Sequence, residues 1–221
     1  GAYMSEQIDR SQDFSEQEGI RRAKLKELEA QGASPYLQTR FERSHLSQAI
    51  KDNIEQLNGQ PVSIAGRMMT RRVMGKASFA HILDGEGRIQ AYIKRDDIGQ
   101  DAYQAFKNYD LGDILGITGT AFITQTGEVS VHAKEVVLLS KCLKPLPDKW
   151  HGLQDVDLRY RQRYLDMIVN PQVRDTFIKR TAIINAIRRF CDSRGFLEVD
   201  TPILHTLEIG AERYVLHLVP S

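Results

Sequence analysis

The run GRMMTRRVMGKASFAHILDGEGRIQAYIKR, Gly66 to Arg95, decides the fold. Its residues alternate at period 2: Ala80 and Ile82 oppose Phe79 and His81, and Ile89, Ala91 and Ile93 oppose Gln90, Tyr92 and Lys94. Such alternation predicts strands with one face on a core. DGEGR, Asp84 to Arg88, predicts the hairpin turn between two of them. Upstream, Val62 and Ile64 alternate with Ser63 and Ala65, so a strand begins after the NGQP turn. The run also holds Arg67, Arg71, Arg72 and Lys76 with no acidic residue before Phe79, so those cations are either screened by water or face a polyanion.

Downstream, a helix is predicted over Gln100 to Asn108. Two more strands follow, DILGITGTAFIT and VSVHAKEVVLLS, joined by the turn QTGE at Gln125 to Glu128. Three strands, a helix and two strands within about 80 residues match the five-stranded Greek-key barrel called the OB-fold, which binds oligonucleotides or oligosaccharides on its middle strands and loops.

On the amino-terminal side, Ser15 to Gln31 predicts an amphipathic helix with Ser15 and Glu18 as a capping box and Gly32 as its stop. Its Arg21, Arg22, Lys24 and Lys26 read as a solvated face. Ser44 to Leu57 predicts a second short helix. On the carboxyl-terminal side, prolines at 145, 147 and 171 mark a linker that becomes helical near DLRYRQRYLDMI. A long helix over Phe177 to Arg194 is closed by Gly195, and FLEVDTPIL reads as a strand interrupted at Pro202. The predicted organisation is a tag remnant and disordered start at 1–14, a helical extension at 15–58, the barrel at 59–141, a linker at 142–156 and the start of a mixed α+β domain at 157–221.

Composition narrows the function. Thirty basic against 29 acidic residues leave a net charge of +1, so any nucleic-acid footprint must be local. No apolar run approaches the 18 or so residues that span a membrane, and two cysteines give no disulfide framework, which predicts a reducing cytoplasm. Cys142 and Cys191 stand alone, so no metal site is expected; both are expected to be small buried hydrophobes.

At the barrel face, period 2 turns Phe79 away from the core. From the residues alone two readings stand. The ring stacks an unpaired base while the arginines bind phosphates and Gln90 and Glu128 read base edges, or it covers the barrel mouth while the cations are solvated. His81 reads as a hydrogen-bonded packing residue at the same face.

The segments GRMMTRRVMGKASFAHILDGEGRIQAYIKRDDIG, DLGDILGITG, TGEVSV, KPLPDKWHGLQDVDLRYRQRYLDMIVN and GFLEVDTPIL together resemble a bacterial-type class II lysyl-tRNA synthetase from about Ser15 to Leu204. The resemblance implies that the barrel binds the tRNA anticodon. Phe79 would stack the central uridine, Gln90 and Glu128 would contact anticodon bases, Arg72 would support them, and Arg67, Arg71, Lys76 and His81 would complete the surface. The long helix and EVDTP resemble the first class II motif, which would put Pro202 at the contact of a homodimer.

The family's second and third motifs have no counterpart here, and His205 to Ser221 departs from its pattern. The complete enzyme would use ATP and magnesium to attach lysine to its tRNA through a lysyl-adenylate. This chain alone is expected to be inactive and to hold neither, and no catalytic role falls to Arg159, Arg161, Arg163, Arg188 or Arg189. A non-catalytic OB-fold single-strand-binding or regulatory protein is the alternative, and an aspartyl-like synthetase a third reading.

Overall fold

A computed structural model describes residues 15–147, 153 and 155–200. Compact units meet between Leu146 and Pro147. In the first, α1 (Glu16–Ala30), a 3-10 turn (Pro35–Leu37), α2 (Ser47–Asp52) and α3 (Ile54–Leu57) precede β1 (Pro61–Met74), β2 (Ala77–Leu83) and β3 (Arg88–Lys94). Then come α4 (Arg95–Ile98), α5 (Gln100–Asn108), β4 (Ile114–Ile123) and β5 (Val129–Ser140).

The strands close into a barrel of order β1-β2-β3-β5-β4, antiparallel except where β3 meets β5 in parallel. This is the OB-fold. Alternation drives it: Val62, Ile64, Met68, Ala80, Ile82, Ile89, Ala91 and Ile93 all point inward and are buried. Tyr103 and Phe106 of α5 join the same core. The Asp84 turn is held by backbone N–H donors from Glu86 and Gly87 at 2.9 and 3.0 Å and is tied to α2 through the Ser47 N–H at 2.6 Å. Burial pulls the Asp84 carboxyl up, but these donors outweigh it and hold it below the usual carboxylate range.

The first half of the capping box forms, with the Glu18 N–H donating to Ser15 Oγ at 3.3 Å, while the Glu18 carboxylate turns to Arg22 at 2.8 Å. The basic face of α1 is not merely solvated. Arg21 donates to the carbonyls of Leu111 and Cys142 at 3.0 and 2.7 Å, and Lys24 to Asp110 at 2.6 Å, docking α1 on the barrel.

In the second unit, the expected helix near Asp157 is two short ones, α6 (Val156–Arg161) and α7 (Arg163–Val169), before α8 (Pro171–Ser193). Asp166 joins them, accepting from Arg159 at 3.0 Å, Asn170 at 2.6 Å and Arg163. The strand expected from Phe196 does not form over residues 196–200, which carry no strand pairing among the described residues and leave Leu197 and Val199 largely exposed. Without a neighbouring strand an exposed extended segment gains no ladder hydrogen bonds, and water satisfies its backbone instead. Neither cysteine is fully buried; both are half-buried.

Candidate nucleic-acid interface

The β2–β3 hairpin sets Phe79 opposite Tyr92 and His81 opposite Gln90. Phe79 lies on the outer face, half-buried against Tyr92, with ring centroids 5.1 Å apart and a 39° tilt. It does not stand alone. Tyr92 leans on His132 at 5.2 Å and on Phe122 at 6.3 Å, so an aromatic row crosses β2, β3, β5 and β4. His132 is anchored by Asp97 at 2.7 Å; that hydrogen bond, with Lys134 and Lys94 nearby, holds the Asp97 carboxyl below its usual range. Sequence reading passed over Tyr92, Phe122 and His132, although each sits on the outward parity of its strand.

Gln90 is 8% exposed, yet its amide makes no hydrogen bond among the described residues. A packed amide without a protein partner leaves both a donor and an acceptor for something else. Glu128 reaches the same place from the β4–β5 turn, where Gly127 takes φ 83° and the Glu128 N–H donates to Thr124 Oγ1 at 2.9 Å. Its carboxylate lies 3.3 Å from His81 Nε2.

The four cations separate. Arg72 pairs across the ladder with Phe79, and Lys76 follows Gly75 in the β1–β2 turn. Both are exposed and unpaired among the described residues. Arg67 donates to the Gly112 carbonyl at 2.7 Å, and Arg71 to the carbonyls of Phe106 and Tyr109 at 3.1 and 2.5 Å. Phe79, Gln90, Glu128, His81 and Arg72 therefore share one outer patch, with Lys76 at its end, whereas Arg67 and Arg71 are tied to the barrel's own backbone. Such a patch can stack a base, hydrogen-bond its edge and contact a phosphate.

ATP and magnesium need aligned cations and carboxylate ligands. Among the described residues no three His, Cys, Asp or Glu side chains could hold a metal ion, and Arg159 and Arg163 are engaged by Asp166. The described residues do not fit either group. Pro202 lies outside the described residues. No helix among them is long and apolar enough to cross a membrane.

Residues 62–139 match the family described as OB-fold nucleic acid binding domain, and residues 155–220 match tRNA synthetases class II (D, K and N). A lysine–tRNA ligase of Clostridium botulinum (strain Langeland) is 55% identical over 188 residues, covering 85% of this chain and 37% of the relative. That of Thermoanaerobacter pseudethanolicus is 53% identical over 201 residues, covering 91% and 40%. That of Pelotomaculum thermopropionicum is 51% identical over 202 residues, covering 91% and 40%. The chain thus spans less than half the length of these relatives.

Proposed function

We propose that this chain, which belongs to the class II lysine–tRNA ligase family, supplies such an enzyme's recognition of the lysine tRNA anticodon. In this reading Phe79 stacks the central uridine, Gln90 and Glu128 bond base edges, and Arg72 with Lys76 meets the flanking phosphates. Arg67, Arg71 and His81 hold the surface in shape. The observation that carries it is Gln90, packed to 8% exposure beside an aromatic row with its amide unspent. No buried side-chain polar atom among the described residues lacks a partner, so this amide still reaches solvent and can exchange water for a base edge.

The whole enzyme's reaction, on this proposal, is ATP-dependent attachment of lysine to its tRNA through a lysyl-adenylate, with magnesium. It works as a cytoplasmic homodimer whose contact includes Pro202. No catalytic residue is assigned within this chain.

The test is binding of a lysine anticodon stem-loop RNA. Phe79→Ala should weaken it about 5- to 150-fold, the worth of one stacked base. Unchanged affinity would remove Phe79 from the site. Equal affinity for unrelated single strands, with a steep salt dependence, would favour a general single-strand-binding barrel instead.

A further inference from the structure

Resting on the anticodon-reading assignment above, we propose that Thr70 is a positioning residue for base selection: through His81 it fixes Glu128 as an acceptor that favours a base bearing a ring N–H, such as uracil. The starting point is an irregularity in β1. Buried residues recur there at Val62, Ile64, Gly66 and Met68, so strict alternation would send Thr70 inward as well. The ladder instead pairs Met68 with Ile82 and Thr70 with His81, leaving Met69 as the extra residue of a bulge. A one-residue shift exchanges the faces of a strand, so Thr70 emerges on the outer face beside His81.

Thr70 Oγ1 lies 2.8 Å from His81 Nδ1, and His81 Nε2 lies 3.3 Å from Glu128 Oε1. The hydrogens follow from donor and acceptor capacity. An ionised carboxylate only accepts, so a neutral imidazole must carry its hydrogen on Nε2 to bond Glu128. Nδ1 is then an acceptor, and the Thr70 hydroxyl must donate to it. Within that chain every donor has an acceptor, and the second oxygen of Glu128 is left for a ligand. Uracil presents a ring N–H at position 3 where cytosine presents a lone pair. A fixed acceptor beside the Phe79 ring therefore prefers the former, and the amide N–H groups of neighbouring Gln90 are donors for a carbonyl flanking that ring N–H.

The 221-residue chain is titrated by fluorescence anisotropy with an anticodon stem-loop containing UUU and with the same RNA carrying cytidine at the central position. Thr70→Val keeps the shape and removes the donor; it should lower the uridine-over-cytidine preference roughly 3- to 10-fold, the usual worth of one hydrogen bond. Thr70→Ser should restore it, which a purely structural role for the threonine methyl would not. If Thr70→Val does not fold, His81→Leu, which breaks the same chain, should reduce the preference equally. A wild-type preference in whichever of these two is measured overturns the inference. Phe79→Ala and Glu128→Gln are run in parallel. If both leave binding and preference unchanged, the base-reading assignment fails and takes this inference with it. If they weaken binding while Thr70→Val keeps the wild-type preference, the assignment stands and only the role of Thr70 falls.

Discussion

Arg71 and Arg72 are neighbours on one strand and so face opposite sides, and the bulge at Met69 decides which of them faces outward. Beyond it Arg71 pairs with inward-facing Ala80 and Arg72 with outward-facing Phe79. Arg71 also stands 6.0 Å over the Phe106 ring while its guanidinium binds the last carbonyls around α5. Arg71→Met should cost about 1.5–3 kcal/mol of stability, the range for hydrogen bonds from a charged group. Arg72→Ala should change stability by no more than about 0.5 kcal/mol. It should, however, weaken RNA binding across sequences and lower the salt slope by about 1. Urea unfolding and binding at several salt concentrations check the pair, and the opposite pattern would mean that the assigned faces are reversed. The cationic run was legible in the sequence, as was the outward face of Phe79. Which arginine is left exposed was not, because a single extra residue reverses the parity and no composition signal marks it. Gly119 shows the same limit: a Cβ there would lie 2.0 Å from the His132 carbonyl oxygen, a close approach that only strand pairing reveals.

Among the elements, α1 is held by charge rather than by a wide apolar stripe. Lys24 reaches Asp110, and Lys141, with its side chain 1% exposed, bridges Asp110 and the fully buried Asp113 at 2.6 Å each. Asp113 also accepts from the N–H groups of Cys142 and Asp110 at 2.8 Å, fastening the chain after β5 to the turn before β4. Lys141→Met leaves a buried carboxylate without its cation and should cost about 3–5 kcal/mol in urea unfolding. A loss under about 1 kcal/mol would mean that water reaches Asp113. Burial pulls the Asp110 carboxyl up, but Lys141 and Lys24 outweigh it and hold it below the usual range. A depressed folded value stabilises at higher pH, so this contribution is full at neutral pH. It begins to fall as pH drops through the ordinary carboxylate value of about 3.9 and is gone only below the folded value. Asp110→Asn should therefore flatten the loss of stability below about pH 4; an unchanged slope would show that Asp110 takes no part in it. The helix itself was readable from its cap and spacing. Its docking was not, since the groups that Arg21 and Lys24 bind lie 84 to 121 residues away in sequence.

At the scale of the whole molecule the two units differ in what holds them. The barrel encloses a continuous apolar core, whereas Asp166 is the one fully buried residue among the described residues of the second unit. On α8, Phe177, Ile183, Ile187 and Phe190 are 38%, 61%, 59% and 59% exposed. The prolines at 145 and 147 announced a boundary in the sequence, and helical spacing announced an apolar face on α8, but periodicity reports which side is apolar and not whether anything covers it. Since stability follows apolar area removed from water, the second unit should unfold first. Heating the 221-residue chain should give two transitions, the earlier one seen in helical signal and in proteolytic cleavage within 155–200, the later one in barrel signal. Every residue assigned to base reading lies before Leu146, so residues 15–146 prepared alone should fold and bind the lysine anticodon stem-loop within about two-fold of the full chain. Such a small difference is expected when every side chain assigned to base reading is retained. A single shared transition, or a more than tenfold loss of binding by residues 15–146, would mean that the second unit shapes the recognition surface, and the barrel could no longer be treated as a self-sufficient reader of RNA.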